Sequence, residues 1–456
     1  MFSTLFQRFM NKCPVPVMVQ VLLERVLCPE KLDSIFERTA VKQYTRTLLF
    51  STVFELMNLV IFKTFPSVNA AYKEDGEGIG VSITSLYNKL NGISIDTSAV
   101  LVRETAKEKV YIINALNGAR KSLLPGYRVK MLDGNCIEAS EHRLDVLKDT
   151  KAGALPGKSL VVYDPMLEMA IDVFPCEDGH AQERSLLDRV LPTVEKEDVW
   201  IMDRNFCVRG FLLGIDDKEG YFVCREHKGL KWAPCGVEKK VGKTETGALY
   251  EQWIKIVDDK GKTRKYRRIR VNLNTETRDG EKEIVILTNL SKTGISAKIV
   301  AELYRKRWTI ETMFQELEAH LHSEVNTLGY PKAALFGFCV ALVAYNILAV
   351  VKAALRAQHG EETIEKELSG YYLAGNIART YDGMMIALPD KEWVAFQTMT
   401  ISQLADILLQ LAGNVKLSKF RKSRRSPKKP PSKRDKYSKH PHVSTAKLLR
   451  GEEPSD

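Results

Sequence analysis

Apolar residues recur at helical spacing through residues 1 to 125. Val17–Cys28 and Lys31–Thr39 each place apolar side chains three or four positions apart, which predicts amphipathic helices. The glycine-rich stretch Asp75–Gly80 interrupts this pattern, and Ser82–Leu90 then predicts a short capped helix that ends in a turn. We therefore expect a helical N-terminal domain, which is either a helix-turn-helix unit or a plain packing domain.

Short β-prone runs replace the helical pattern after residue 126. Tyr127–Leu132, Ser159–Tyr163 and Met169–Phe174 are strand-like and are separated by Gly and Pro. A helical run, Glu183–Glu195, precedes a further strand-like run, Val199–Met202. Strands and a helix in this order predict an α/β fold built on a mixed sheet.

The remainder of the chain divides by composition. Residues 221–282 are strand-rich and predict a β-rich insertion, after which Glu283–Leu290 is expected to rejoin the main sheet. Ser296 is a suitable N-cap for the long helix that follows. The expected order is a helical domain (1–125), the first part of an α/β core (126–220), the β-rich insertion (221–282), the second part of the core (283–356), a helical region (357–414) and a basic disordered tail (415–456).

One apolar segment is long enough to cross a membrane. Ala333–Val351 has nineteen residues, and Asn346 is its only strongly polar side chain. No second such segment exists in the sequence, and the helix before it needs an apolar surface on which to dock. We therefore predict a buried core helix and no membrane association.

The positive charge of the chain is concentrated near its C-terminus. The formal net charge is +11, and residues 416 to 450 hold fourteen Lys or Arg but a single acid, Asp435. Cationic segments of this kind usually bind polyanions, of which nucleic acid is the commonest. The residues assigned to DNA binding in this segment are Lys416, Arg421, Lys422, Arg424 and Arg425.

The cysteines and the N-terminal segment indicate where in the cell the protein is expected. The eight cysteines are scattered and form no C-x-x-C pair, which is typical of reduced thiols in a cytosolic protein. The apolar stretch Val15–Leu23 is broken by Gln20 and is followed by Glu24 and Arg25, so it does not resemble a signal peptide. A cytoplasmic location is expected.

Two strand-like runs end in similar acidic motifs. Asp133 lies in Met131-Leu-Asp-Gly-Asn135, and Asp203 lies in Ile201-Met-Asp-Arg-Asn205. If the two strands are parallel neighbours, the carboxylates lie side by side at the sheet edge where α/β folds bind ligands. Adjacent acids repel each other unless a cation lies between them, and Mg²⁺ favours all-oxygen sites. A single Asp in such a position is more often a turn or capping residue.

A third acid lies on the helix after Ser296. At 100° per residue, one face of this helix carries Tyr304, Arg307, Glu311, Gln315 and Glu318. An adjacent apolar arc would pack on the sheet. It consists of Leu303, Ile310, Leu317 and Leu321. The pattern fits a Glu311 carboxylate directed at the two aspartates, and it also fits an ordinary amphipathic helix with an Arg307–Glu311 ion pair.

These motifs together resemble a known family. Tyr304-x2-Arg307-x3-Glu311 is similar to the Y-R-E core of the insertion-sequence DDE transposases of the Y-R-E-K group, the insertion-sequence family numbered four. The motifs that contain Asp133 and Asp203 resemble the first and second aspartate motifs of that family. The resemblance extends over roughly residues 80 to 350, and the strand with Leu287-Thr-Asn-Leu290 resembles the one that leads into the family's Glu helix.

The resemblance implies a ribonuclease-H-like catalytic core with helices on its sheet. It implies two Mg²⁺ ions, for which Mn²⁺ can substitute, held by Asp133, Asp203 and Glu311 as catalytic residues. It assigns DNA contacts to Tyr304 and Arg307, and Trp308 is grouped with them. The implied reaction is cut-and-paste transposition, in which transposon ends are nicked, released through a hairpin and joined to target DNA. The expected partners are double-stranded DNA and a second copy of the chain, in the nucleoid of a bacterial cell.

One position departs from the family pattern. The family motif ends in Lys seven residues after its Glu, where this sequence has Glu318. Two alternatives to an active transposase therefore stay open: an impaired remnant that only binds DNA, and a related metal-dependent nuclease that cuts without joining. We expect Glu318 to turn toward solvent or a basic side chain, with His320, His322 or Lys332 as candidates for the phosphate contact.

Overall fold

The computed structural model describes residues 2–41, 47–138, 140–141, 144–258, 261–277, 280–423 and 442–452. Helices make up its N-terminal part. They are α1 (Thr4–Lys12), α2 (Pro14–Val26), α3 (Pro29–Thr39), α4 (Phe50–Ile61), α5 (Val68–Ile79), α6 (Ile83–Gly92) and α7 (Ile95–Ala115). Helices α2, α3 and α6 confirm the predicted helical segments, and the Ser82 hydroxyl caps α6 by accepting from the amide of Ser85 at 3.2 Å.

The predicted interruption at Asp75–Gly80 is wrong. Helix α5 continues to Ile79 and ends at Gly80, which has a φ of 66°. Each glycine inside a helix costs about 1 kcal/mol relative to alanine, which does not prevent a helix when its neighbours favour one. The left-handed conformation of Gly80 is a common helix ending that only glycine adopts without strain.

The middle of the chain forms a mixed sheet. Its elements in chain order are β1 (Arg128–Ile137), α8 (Asp145–Lys148), β2 (Gly153–Leu155), β3 (Gly157–Asp164), β4 (Met169–Cys176), α9 (Leu187–Val190), β5 (Asp198–Met202), α10 (Arg209–Asp217) and β6 (Tyr221–Arg225). The strand order is β4-β3-β1-β5-β6. Strand β1 pairs antiparallel with β3 and parallel with β5, and β5 pairs parallel with β6. The predicted mixed α/β sheet is confirmed.

The predicted helix Glu183–Glu195 is shorter than expected. Only α9 is α-helical, and the turns Glu183–Leu186 and Leu191–Thr193 on either side of it are 3₁₀-helical. Pro192 has no amide hydrogen, and at the second position of a 3₁₀ turn this removes no helical hydrogen bond. The segment is therefore a series of short turns between β4 and β5.

The strand-rich block extends the same sheet. Its strands are β7 (Ala233–Pro234), β8 (Lys239–Lys243), β9 (Gly247–Val257), β10 (Thr263–Leu273) and β11 (Glu283–Thr288). As predicted, β11 rejoins the main sheet, where it pairs antiparallel with β6. Strands β10, β9 and β7 follow in order, and β8 pairs with β9.

Alternating side chains give the sheet two apolar faces. Met131 and Ile201 belong to a large core shared with the N-terminal helices, whereas Leu132 and Met202 belong to a second core formed with α9 and α10. Because successive residues of a strand point to opposite faces, β1 and β5 contribute to both cores. The strand segments that directly precede Asp133 and Asp203 are therefore held from both sides.

The helix expected after Ser296 is interrupted once. Helix α11 (Ala297–Arg305) is capped by the Ser296 hydroxyl, as predicted, and α12 (Trp308–His320) follows it directly. Between them the amides of Lys306 and Arg307 bond three residues back, to Leu303 and Tyr304. This tightened turn replaces the continuous α-helix that the periodicity predicts.

The long apolar segment lies inside α13 (Pro331–His359). Its most hydrophobic window has a mean hydropathy of 2.4 and is 100% buried. It packs against α7, α4 and α17 (Ile401–Gly413) among other helices. The predicted buried helix is confirmed, since the apolar surface that resembles a membrane span is covered by protein.

The C-terminal part is helical and then returns to the core. Helices α14 (Glu361–Glu367), α15 (Gly370–Ala387) and α16 (Val394–Gln397) precede α17, and the chain ends in β12 (His442–Ser444) and α18 (Thr445–Leu449). Strand β12 pairs parallel with β2. Composition predicts disorder from residue 415 onward, but Phe420 and Val443 are buried because both pack on apolar neighbours. The described residues on both sides of the gap at 424–441 are thus attached to the fold.

Candidate active site

Asp133 and Asp203 lie on neighbouring parallel strands. Leu132 of β1 is in register with Met202 of β5, and each aspartate is the next residue along its strand. The Asp133 carboxylate accepts from the amide of Gly134 at 2.9 Å, and the Asp203 carboxylate accepts from the amide of Asn205 at 2.7 Å. The predicted parallel pairing of the two strands is confirmed, but Asp133 does not lie at a strand end, because β1 continues to Ile137 through its pairing with β3.

Arg307 links the Glu311 carboxylate to the Asp133 carboxylate. Its Nη1 donates to Oδ2 of Asp133 at 3.0 Å, and its Nη2 donates to Oε1 of Glu311 at 2.5 Å. The guanidinium is largely buried, with a side-chain exposure of 10%. The intrahelical Arg307–Glu311 pair therefore exists, and the same arginine also binds the first aspartate.

The Asp133 carboxyl has a strongly shifted pKa. Burial raises the pKa of Asp133 to about 7, and the negative charges of Asp203 and Glu311 add to the rise. Arg307 and the Gly134 amide oppose it. The other two carboxylates therefore lie within electrostatic range of Asp133. A buried acid with a strongly shifted pKa is typical of functional sites.

Tyr304 and Trp308 flank Arg307 in different environments. Burial raises the pKa of Tyr304 to about 12, so its hydroxyl stays protonated at neutral pH. The Trp308 ring is 62% exposed, and the Arg307 guanidinium lies 4.9 Å from its centroid. The site therefore combines a buried hydrogen-bonding group with an open aromatic surface.

The donor set suits a divalent cation, but the side chains are not arranged around one. Among the described residues, no three His, Cys, Asp or Glu side chains are close enough to form a metal-binding group. Carboxylate oxygens are the ligands that Mg²⁺ prefers, and Asp133, Asp203 and Glu311 supply six of them. The Arg307 guanidinium lies between Asp133 and Glu311. These acids fit a metal if Arg307 releases one or both of them.

Other residues named from the sequence lie farther from this cluster. Glu318 is exposed on α12 and has no ion pair within the described part of the chain. Burial lowers the pKa of His320 and of His322, which makes them weak cations near neutral pH. Lys332 lies beside Tyr330 and Arg450 in a separate cavity of about 440 Å³.

The basic residues near the C-terminus differ in their surroundings. Arg421 donates to Glu367 at 2.9 Å, and Lys422 donates to the carbonyl of Glu365 at 2.6 Å. Lys416 is exposed. Arg424 and Arg425 lie outside the described residues. The two cations at Arg421 and Lys422 are therefore partly committed to α14.

Sequence reasoning missed one polar residue near the site. The Glu183 carboxylate lies against Gly134 and accepts from Nδ2 of Asn205 at 3.3 Å. Glu183 lies far from the acidic motifs in sequence, and only folding brings it near. A glycine in an ordinary strand, at Gly134, was the one available signal of a close approach.

The region that contains this site is similar to known proteins. Residues 125–347 match the family model described as the transposase DDE domain. That range contains all three acids, Arg307 and the strands that carry them. The chain is also related to insertion-sequence transposases of Escherichia coli. It is 25% identical over 280 residues to the putative transposase InsL of element IS186A from strain K12 and equally to the transposase of element IS421, in both cases over 53% of this chain and 70% of the relative.

Two other proteins are more distantly similar. The putative transposase y4zB of Sinorhizobium fredii is 26% identical over 196 residues, which covers 42% of this chain and 52% of the relative. The piggyBac transposase in a synaptic complex with hairpin DNA superimposes with a TM-score of 0.38 and 10% identity, over 95% of this chain and 90% of that one.

Proposed function

We propose that this chain is the cut-and-paste DNA transposase of an insertion sequence. The observation that carries the proposal is the placement of Asp133 and Asp203 on neighbouring parallel strands, with Arg307 linking Asp133 to Glu311, inside the region that matches the transposase DDE domain. The strand order β4-β3-β1-β5-β6, in which β1, β5 and β6 are parallel, supports a ribonuclease-H-like core. The Tyr304, Arg307 and Glu311 spacing supports membership of the Y-R-E-K group.

The three acids are proposed to hold two Mg²⁺ ions, or Mn²⁺ in their place. Such a metal pair activates a water or a 3′-hydroxyl and stabilises the leaving oxygen during in-line attack on phosphorus. Asp133, Asp203 and Glu311 would supply the oxygen ligands. Arg307 neutralises Asp133 and Glu311 in the structure, and once released it would donate its planar pair of N–H groups to a DNA phosphate.

Residues around the acids would position the DNA. The protonated Tyr304 hydroxyl can donate to a phosphate oxygen, and the exposed Trp308 ring can stack on a base. The basic segment that contains Lys416, Arg424 and Arg425 would neutralise phosphates without reading sequence. The proposed partners are double-stranded transposon ends, target DNA and a second copy of the chain. The proposed location is the bacterial cytoplasm, in association with the nucleoid.

The test is cleavage of a plasmid that carries this coding frame with its flanking DNA. With Mg²⁺ we expect cuts at the element ends, and we expect Asp133→Asn, Asp203→Asn and Glu311→Gln to reduce cutting to background. Glu318→Gln, an isosteric change at an exposed position of α12, is the matched control and should keep most activity. An equal loss of cleavage in Glu318→Gln and Glu311→Gln would contradict the proposed metal-binding role of Glu311.

A second assay separates the alternatives. A pre-cleaved element end should join to target DNA if the chain is a transposase, whereas a simple nuclease would leave it unjoined. Normal end binding by the wild-type chain with no cleavage in Mg²⁺ or Mn²⁺ would indicate an impaired remnant. That outcome would contradict the proposed activity.

A further inference from the structure

The Glu183 side chain lies in contact with both aspartate motifs. It begins the 3₁₀ turn Glu183–Leu186 that follows β4, and its side chain is partly buried. One of its carboxylate oxygens lies at Gly134, the residue after Asp133. The other accepts from the side-chain amide of Asn205, two residues after Asp203. A single carboxylate thus touches the two segments that present the first two acids.

Gly134 creates the space that this contact needs. A Cβ built on Gly134 would lie 2.0 Å from Oε1 and 2.7 Å from Cδ of Glu183, which is closer than non-bonded atoms can approach. Gly134 lies in β1 and has no positive φ, so its backbone could belong to any residue. A methyl group at this position would therefore displace the end of the Glu183 side chain, and the group that fills the space is a carboxylate.

Asn205 connects Glu183 to Asp203. The Asn205 side chain donates to Glu183 at 3.3 Å, and its backbone amide donates to the Asp203 carboxylate at 2.7 Å. Arg184, the neighbour of Glu183, also donates from Nε to the Asn205 carbonyl at 2.8 Å. The turn that begins at Glu183 therefore holds Asn205 through both its side chain and its backbone.

Within the described residues Glu183 takes part in no salt bridge, and Lys158 acts on it through its positive charge without a direct contact. Its hydrogen-bond donor is the neutral amide of Asn205. A carboxylate held in this way acts on its neighbours through hydrogen bonding and packing.

We propose that Glu183 is a positioning residue that holds the Asp133 and Asp203 segments at a fixed spacing, by packing on Gly134 and binding Asn205. Its consequence for catalysis rests on the proposed function, because it acts through Asp203. Partners that orient metal ligands typically contribute about 10- to 100-fold in affinity or activity. We expect an effect of that size when the link is removed.

The direct test is amide hydrogen exchange in the metal-free protein. Glu183→Ala should speed exchange in peptides covering residues 203–207 by about three- to tenfold, the loss expected for one hydrogen bond. Gly134→Ala should produce a similar increase, since the added methyl displaces the carboxylate without removing it. Glu183→Gln keeps an acceptor oxygen for Asn205 and should stay near the wild type. Asp188→Ala, at an exposed position of α9, is the matched control.

DNA cleavage and Mg²⁺ binding by the same variants test whether Glu183 affects catalysis. Glu183→Ala and Asn205→Ala should each weaken both by about 10- to 100-fold, and the double variant should lose no more than either single one. Unchanged exchange in Glu183→Ala, or a Glu183→Gln variant as impaired as Glu183→Ala, would overturn the proposal. If wild-type protein fails to cleave DNA, the proposed function fails, while the exchange experiment still decides the role of Glu183.

Discussion

Two groups of charged residues lie beside helix α12. They differ in how many positive charges neutralise their carboxylates. Glu168 forms the centre of the first group, the Glu168 network, and contacts Lys352 at 2.8 Å, Arg356 at 2.6 Å and Arg120 at 3.3 Å. The second group, the acidic site, consists of Asp133, Asp203 and Glu311. Among the contacts described, Arg307 is the cation that bonds to its carboxylates.

The pKa values of the two groups reflect this difference. Burial alone would raise the pKa of Glu168, but Lys352, Arg120 and Arg356 together lower it to about 2. Burial raises the pKa of Asp133 to about 7 in spite of Arg307. A buried acid surrounded by matched cations is a structural element, whereas buried acids short of positive charge favour an added cation. The comparison separates an acid that maintains the fold from the acids to which the proposed function assigns the chemistry.

The largest expected effect is on the Glu168 network. Glu168→Gln would remove the carboxylate that Lys352, Arg356 and Arg120 share and leave them only Glu316 and Glu365, which should lower the free energy of unfolding by about 3–5 kcal/mol. Because the folded-state pKa of Glu168 is about 2, its contribution should be complete above its ordinary value of 4.5 and disappear as the pH falls toward 2. Denaturant unfolding between pH 7 and pH 3 measures both effects. Glu362→Gln, at an exposed position of α14, is the control, and equal stability of the two variants would contradict the account.

A smaller effect is expected at Arg307. Arg307→Gln removes the cation between Asp133 and Glu311 and should destabilise the metal-free protein by about 1–3 kcal/mol. Mg²⁺ should then raise the unfolding temperature of the variant more than that of the wild type, since no guanidinium competes for the carboxylates. Thermal unfolding with and without Mg²⁺ measures this. An identical Mg²⁺ response would show that Arg307 does not occupy the place of a cation.

Asp133→Asn should stabilise the protein, and its effect on the free energy of unfolding should be the smallest of the three. Because the folded-state pKa of Asp133 lies above its ordinary 3.8, ionised Asp133 destabilises the protein above about pH 7, and this cost disappears as the pH falls toward 4. At pH 8 we expect Asn to raise the free energy of unfolding by about 0.5–2 kcal/mol, as at other functional sites. Denaturant unfolding at pH 8 and pH 5 checks this, with a smaller difference at pH 5. A destabilised variant at pH 8 would place Asp133 among the structural acids.

The strands of the acidic site can be predicted from the sequence, because runs of apolar residues identify them without knowledge of distant contacts. The apolar runs before Asp133 and Asp203 are buried on both faces of the sheet, and each aspartate directly follows the stretch in which β1 and β5 pair. Glu311 follows from the helical spacing to Ile310 and Leu317, which are both buried. Parallel pairing of the two strands was a conditional expectation that the fold satisfies.

Contacts between distant residues account for what local patterns missed. The tightened turn at Lys306 and Arg307 accompanies the hydrogen bond from Arg307 to Asp133, 174 positions away. Glu183 reaches the site only because Gly134 lacks a side chain there. In both cases a tertiary contact outweighs a local preference. Helix α5 is a different case, because the cost of its glycines is small enough for helix-favouring neighbours to offset.

The most direct test of the central claim is a change of metal specificity. Asp203→Cys replaces a hard carboxylate by a softer thiolate, which should bind Mn²⁺ better than Mg²⁺. Cleavage of element ends by this variant should fall to background in Mg²⁺ and recover by about tenfold or more in Mn²⁺. Glu318→Cys, on the exposed face of α12, should show the same Mn²⁺-to-Mg²⁺ rate ratio as the wild type. A variant at Asp203 that cleaves normally in Mg²⁺, or that Mn²⁺ does not rescue, would contradict a metal-binding role for this acid.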